Sequence, residues 1–351
     1  MAVIFITGAT GFIGRSLTRE LCAAGHTVRV LARRPEKAFQ LFGDQVEIFT
    51  GDLSDAALLA RACTGASLVY HIAGAYRFGL RHRKEVWRVN VDGTENLLQA
   101  TFRAGVEKVV YIGSGGILRR SDRRKPLMDE TDFPATPPPF SSYKLSKWEA
   151  ERRVLEWARR GLHVTIASPT CPIGAEDEMP TPTGRIIRDF LDGNFPFSCR
   201  AGLNFVSVDD LSAGLQLAAR HGRSGERYLF GHENMWLRDF LHILQEETGL
   251  KAPRFTLPGG VIWAAGAGGE AVDFLQGFLP GGDRRDIRIC LETAYHSRRV
   301  QFFSCEKAAR ELGWEPVRPL RETVREAIAW FQDGVRPVRE ASAEAPVPVA
   351  L

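Results

Sequence analysis

Eight residues near the start of the chain, Thr7-Gly8-Ala9-Thr10-Gly11-Phe12-Ile13-Gly14, restrict the fold more than any other stretch. Before them, Ala2–Thr7 is a short apolar run rich in β-branched residues, which predicts a buried strand. After them, Phe12–Ala24 has helical spacing and Gly25 stops it. In a strand–loop–helix, Gly8 allows the tight turn, Gly11 lets the backbone approach a pyrophosphate, and Gly14 lets helix and strand pack closely. The helix N-terminus adds free N–H groups and partial positive charge. Thr10, Phe12 and Ile13 belong to the same loop and are cofactor contacts on this reading. A glycine triplet alone is weak evidence, and its position between strand and helix is what gives it weight. The plain alternative is a tight turn that binds nothing.

Further strands are predicted over Thr27–Ala32, Val46–Phe49, Leu68–Ile72, Lys108–Ile112 and His163–Ala167. Between them fall a helix capped near Ser54 and Asp55, one long helix over Lys84–Ala104, and another over Ser142–Arg160. This alternation predicts an α/β fold with a Rossmann-type, doubly wound parallel sheet covered on both faces. At 351 residues the chain is long for one core. The alternation weakens after Ser168, so residues 1–168 form the expected NAD(P)-binding domain, with elements returning from 203–230. A smaller C-terminal α/β substrate lobe spans 169–334, with helices over Leu211–Arg220, Leu237–Thr248 and Leu320–Phe331. Residues 335–351, with several prolines and alanines, read as a disordered tail. Arg119–Pro139 is rich in charge and proline and reads as a loop over the site. Val261–Leu279 is apolar but carries Glu270, Asp273 and several glycines. It is read as a packed lobe helix, with peripheral membrane contact as the alternative, and nothing reaches the ~20 apolar residues of a span.

A net charge of +4 does not argue for nucleic-acid binding. The six cysteines show no CxxC and no pairing with histidine, so no metal site is expected and reduced thiols of a cytoplasmic protein are. The N-terminus lacks the basic stretch of a signal peptide. After the second strand, Arg33 and Arg34, with Lys37 following, stand where an acidic residue would meet the ribose hydroxyls of NAD. Cations there suit the 2′-phosphate of NADP(H), which is favoured, with NAD as the alternative. A solvated basic turn is the bland reading. Asp52 and Leu53 either face the adenine edge or, for Asp52, cap a helix.

Tyr143 and Lys147 lie four apart on a predicted helix and share a face. A tyrosine is a poor base at neutral pH, but a nearby ammonium stabilises its phenolate and lets it exchange a proton with a substrate hydroxyl or carbonyl. Ser114, with Gly113, Gly115 and Gly116 around it, falls past the fifth strand, where its hydroxyl can stabilise charge on the reacting oxygen. A chance Tyr-x-x-x-Lys pair and a serine in a glycine turn are the alternatives, yet glycine loop, serine and pair together are far more specific. Arg185, in a helix of the smaller lobe, suits either a substrate phosphate or carboxylate or a surface ion pair.

With these residues in view, the chain from Met1 to about Gly334 resembles the extended short-chain dehydrogenase/reductase superfamily, in its epimerase/dehydratase and dihydroflavonol-reductase-like branch. The resemblance implies that Gly8, Gly11 and Gly14 bind the dinucleotide and that Ser114, Tyr143 and Lys147 catalyse. His71-Ile72-Ala73-Gly74 resembles the strand-four motif, which would put Ala73 and Gly74 beside the cofactor. Asn90 matches the helix asparagine of the family, Pro169 lies in a segment similar to the one that meets the nicotinamide, and Arg33 falls where NADP-using reductases carry an arginine. More narrowly, Pro180–Ile187, Gly202–Asp210, Arg298–Ser304 and Glu311–Trp314 are similar to the hopanoid-associated sugar epimerases, which implies a place in bacterial hopanoid lipid biosynthesis. Gly113 stands where relatives usually have serine and Ile112 where threonine is common, departures that bear on substrate contacts. The basic start of the long loop (Arg119, Arg120, Arg123, Arg124, Lys125) suits an anionic substrate or plain solvation. Two activities stay open on a small-molecule substrate: a sugar epimerase, and a one-way NADPH reductase of a ketone or aldehyde. A non-catalytic NADP-sensing protein is a third reading, against which Tyr143 and Lys147 are both present. A homodimer through the Lys84–Ala104 and Ser142–Arg160 regions is implied by resemblance alone.

Overall fold

In the computed structural model, which describes residues 1–77, 82–119, 125–139, 141–195, 197–276, 294, 297 and 299–333, strands and helices alternate from the first residues. The first part of the chain runs β1 (Val3–Thr7), α1 (Phe12–Ala23), β2 (Thr27–Ala32), α2 (Pro35–Phe42), β3 (Val46–Thr50), α3 (Ala56–Cys63), β4 (Leu68–His71), α4 (Arg83–Trp87), α5 (Gly93–Ala104), β5 (Lys108–Ile112), α6 (Ser142–Arg159) and β6 (Val164–Pro169). It continues with β7 (Cys171–Ile173), α7 (Pro182–Leu191), β8 (Gly202–Ser207), α8 (Val208–His221), β9 (Arg227–Phe230), β10 (Glu233–Trp236), α9 (Leu237–Thr248), α10 (Gly259–Gln276), α11 (Glu306–Leu312) and α12 (Leu320–Gln332).

Seven strands form one parallel sheet in the order β3-β2-β1-β4-β5-β6-β9. This is the doubly wound sheet the alternation predicts. The order reverses between β1 and β4, and in such sheets ligands bind outside the carboxyl ends of the strands at that point. Period-two alternation feeds a core on each face. From β1, Ile4 and Ile6 join Leu17 and Leu21 of α1, Leu211 and Leu215 of α8, and Trp314. Phe5 points the other way, into a core with Leu58 and Leu59 of α3, Leu97 and Leu98 of α5, and Val154 and Trp157 of α6. A second sheet, β10-β8-β7, carries its own core with α7, α9 and α12.

Several elements differ from expectation. The long helix begins at Arg83, and Arg88–Asp92 form a π turn between α4 and α5. The cap of α3, by contrast, is Asp55 as expected, its side chain accepting from Leu58 N at 2.9 Å. Helix α2 was not foreseen, because its eight residues bury only Ala38 and Phe42. Within the Arg119–Pro139 loop, Glu130–Asp132 make a 3-10 turn, and Met128 pairs with Phe303. Residues 120–124 and 335–351, Arg298, Cys290 and the end of the Val261–Leu279 run lie outside the described residues. Among the described residues no helix is long and apolar enough to cross a membrane.

Candidate active site

The glycine loop is built by backbone contact. Gly8 has a φ of +79°, and a Cβ there would lie 2.5 Å from Ala73 N, just past β4. A Cβ at Gly14 would lie 2.2 Å from Gly8 O. Turn, helix and neighbouring strand thus touch without side chains between them. Gly11 donates to Gly8 O at 3.0 Å and precedes α1, which has no side-chain cap and no acidic residue in its first turn. Its first N–H groups, flanked by Thr10, Phe12 and Ile13, are left to meet an anion.

Behind this loop is a buried hydrogen-bond chain. Thr94 Oγ1 donates to Asn90 O at 2.6 Å, so it accepts from His71 Nε2–H at 2.9 Å. His71 Nδ1 then accepts from the Thr7 hydroxyl at 2.8 Å, and Thr7 Oγ1 accepts from Ala73 N at 3.3 Å. The chain needs a neutral imidazole. Burial, with the Lys147 charge adding to it, pushes the His71 pKa from 6.5 down to about 3. An unfolded chain protonates this histidine near pH 6.5, so its contribution to stability is complete above that pH and falls as pH drops towards 3. The full effect is about 5 kcal/mol. Unfolding midpoints of the wild type and His71→Gln across that window should show the wild type losing stability more steeply; equal slopes would contradict it.

Asn90 sits in the π turn and does not leave its amide free. Its Oδ1 accepts from Ala75 N at 2.7 Å, and its Nδ2 donates to Ala75 O at 3.0 Å and Ser146 Oγ at 2.9 Å. Ser146 donates to Tyr143 O at 2.7 Å. The segment after β4 is thereby tied to the first turn of α6.

That helix starts at Ser141, whose Oγ accepts from Lys144 N at 3.0 Å. Tyr143 is buried, with its ring centroid 3.9 Å from that of Tyr76. Lys147 donates to Ile112 O at 2.7 Å, at the end of β5, and a Cβ on Gly74 would lie 3.6 Å from its Nζ. Burial lowers its pKa from 10.5 to about 8, against the opposing pull of the Glu151 carboxylate. Ser114 is half-buried and caps the turn Gly115–Ile117, its Oγ accepting from Gly116 N at 3.2 Å. The acceptor role leaves its hydroxyl hydrogen available. Pro169 closes β6, and its carbonyl would lie 3.2 Å from a Cβ on Gly115. These contacts join the residues past β1, β4, β5 and β6 at one edge of the sheet.

Other expected residues lie differently. Arg33 and Arg34 are exposed between β2 and α2. Asp52 is spent on its own turn, accepting from Ser54 N at 2.7 Å and Ser54 Oγ at 2.5 Å. Those bonds hold its carboxyl below the usual range, with Arg88 and Arg33 adding to them. Leu53 is buried and its carbonyl accepts from Asn96 Nδ2 at 2.9 Å. Lys37 pairs with Glu178 at 2.8 Å, which also takes Arg15 at 2.8 Å. Arg185 is exposed on α7, with Asp177 as a charged neighbour, and takes no part in the contacts of the sheet edge. The described cysteines Cys22, Cys63, Cys171, Cys199 and Cys305 are unpaired.

The sequence reading passed over Thr7, Thr94, Ser146 and Glu151. Helical spacing held a signal for two of them: Thr94 is four residues past Asn90, and Glu151 four past Lys147 on the same face.

Comparison with known proteins places this geometry among relatives. The model of the NAD dependent epimerase/dehydratase family matches residues 4–231. A provisionally named dihydroflavonol 4-reductase of Synechocystis sp. is 33% identical over 94% of this chain and 94% of its own. Sterol demethylase protein B of Methylococcus capsulatus is 33% identical over 93% of this chain and 98% of its own. The solved structure of a nucleoside-diphosphate-sugar epimerase from Pseudomonas aeruginosa is 26% identical, covers 95% of this chain and 98% of its own, and superposes with a TM-score of 0.75.

Proposed function

Because the chain belongs to the NAD-dependent epimerase/dehydratase family, we propose that it is an NADP(H)-preferring oxidoreductase that interconverts a secondary hydroxyl and a carbonyl on a small-molecule substrate. The observation that supports the reading is that Lys147 is held on Ile112 O at the end of β5, next to Gly74, with Tyr143 one turn earlier on α6 and Ser114 two residues past Ile112. The residues fit a dinucleotide: the loop is packed so tightly at Gly8 and Gly14 that a Cβ at either would strike backbone, and it leads into an uncapped helix start. Gly11 and the N–H groups after it would hold the pyrophosphate, Arg33 and Arg34 the 2′-phosphate, and Ala73, Gly74 and Pro169 would flank the nicotinamide half. Asn90 holds Ala75 in place. When bound, the nicotinamide accepts or supplies the hydride.

Tyr143 takes the hydroxyl proton in oxidation and returns a proton to the carbonyl oxygen in reduction. Lys147, fixed on Ile112 O, keeps positive charge near the phenol and favours the phenolate. Ser114 donates to the reacting oxygen as charge develops on it. Tyr76, against the Tyr143 ring, limits the ways that ring can turn.

The relative named as a dihydroflavonol 4-reductase, at 33% identity, and the arginines after β2 favour a reductase. A second reading, a sugar epimerase in hopanoid lipid biosynthesis, is favoured by the epimerase neighbour and by the Pro180–Ile187 and Gly202–Asp210 stretches. Dinucleotide released by acid from purified protein, identified by mass, separates them. Retained cofactor supports the epimerase, because the hydride must return to the same substrate. Protein that is empty but binds added NADPH supports the reductase. Arg33→Asp is expected to weaken NADPH about 10- to 100-fold, the loss of one charge-assisted phosphate contact, with little effect on NADH. Parallel titrations of both cofactors test this, and an equal loss for both would remove Arg33 from the 2′-phosphate site.

A further inference from the structure

Tyr143, Lys147 and Glu151 fall at successive turns on one face of α6, yet the proposed chemistry leaves Glu151 unused. Its side chain is fully buried. A carboxylate taken from water is stabilised only if its partners satisfy it, and here the satisfaction is one-sided. Oε1 accepts from both Nε and Nη2 of Arg227 on β9. Arg227 is itself pinned, since Nη1 donates to Glu130 O at 3.1 Å and the guanidinium lies 4.3 Å from the Phe133 ring centroid. Glu151 Oε2 is buried without a hydrogen-bond partner, and so are Ser168 Oγ and Tyr111 Oη. A Cβ on Gly113 would fall 2.7 Å from Ser168 Oγ and 3.1 Å from Glu151 Oε2. The glycine at 113, where relatives usually have serine, thus leaves room for those two groups. The Lys147 ammonium lies 5.0 Å from the Tyr111 ring centroid.

We propose that Glu151 is a positioning residue, whose half-paired carboxylate, held by Arg227, keeps the Lys147 ammonium charged on its seat at Ile112 O, one turn past Tyr143. The inference rests on the reading of Tyr143 and Lys147 given above. The groups that act on Lys147 are His71 from β4, neutral in its hydrogen-bond chain, Tyr111 from β5 and Glu151 from α6, with Tyr143 one turn before it on α6 and Arg227 from β9 paired with Glu151. Burial alone drives Lys147 towards the neutral amine, and Glu151 is the carboxylate that opposes it. Burial also raises the Glu151 carboxyl, against the nearby Arg227 and Lys147 charges, so carboxylate and ammonium sustain each other.

The test is a pH titration of Lys147 itself, by the NMR signal of its ε-carbon in full-length protein labelled at lysine, assigned with Lys147→Arg. In Glu151→Gln the Lys147 midpoint is expected to fall by about one pH unit or more, while Glu151→Asp, which keeps the charge, moves it by about half a unit at most. An unchanged or raised midpoint in folded Glu151→Gln overturns the proposal. Should that variant fail to fold, Glu151→Leu with Arg227→Met removes the pair together, an exchange that buried ion pairs tolerate. The same fall is expected there, and an unchanged midpoint overturns the proposal equally. The titration reads Lys147 whether or not any substrate is turned over, so failure of the functional reading would show separately, in the activity of Tyr143→Phe.

Discussion

Tyr143→Phe is expected to lower turnover by about 10²- to 10⁴-fold, the usual worth of a positioned general acid–base group. The ring is buried against Tyr76 and the backbone carbonyl of residue 143 takes the Ser146 hydroxyl, so phenylalanine keeps every packing contact and every backbone bond of this turn. Only the hydroxyl is lost. Dinucleotide affinity and thermal stability should therefore stay near wild type while NADPH consumption with a responsive carbonyl compound collapses. A variant that keeps more than about a tenth of the activity would exclude Tyr143 as the proton donor.

The second large effect is structural. Gly14→Ala places a methyl 2.2 Å from Gly8 O and 2.8 Å from Ala9 Cα. Both obstacles are backbone, in a loop pressed against Ala73 on its far side, so neither can step back. Overpacking of this kind costs about 3 kcal/mol, and here it also moves the anion-binding N–H groups. Lowered unfolding temperature together with lost dinucleotide binding is the expected outcome. Gly11→Ala is the informative contrast. A Cβ there meets only Gly8 O, at 3.2 Å, so stability should change little while pyrophosphate binding suffers. Differential scanning calorimetry paired with cofactor titration distinguishes the two, and equal stability losses would mean the loop yields more than its packing implies.

The parts of this fold legible in the sequence are those whose signal is local. Runs such as Val3–Thr7 and Lys108–Ile112 are apolar because both faces of a central strand are covered, and the glycine spacing is a local demand of one turn. The Tyr143–Lys147 pair is visible because one helix carries both residues. What stayed hidden depends on residues far apart in the chain. Arg227 meets Glu151 across 76 positions, and Thr7 meets His71 across 64. No periodicity records such meetings. Helix α2 escaped because two buried residues in eight make too thin an apolar stripe to stand out. The β7-β8-β10 sheet escaped because its strands are short and one of them pairs antiparallel.

The π turn at Arg88–Asp92 has an evolutionary consequence. It holds one more residue than an α-helical turn, so the helix before it and the helix after it are out of phase by about 100°, the angle each residue adds. Deleting one residue there would make a regular helix and would be harmless to helix formation as such. It would also rotate everything downstream, swinging Thr94 away from His71 and turning Leu97 and Leu98 out of their core. The segment is thus closed to single-residue deletion, and lineages carrying this hydrogen-bond chain should conserve its length more strictly than its side chains.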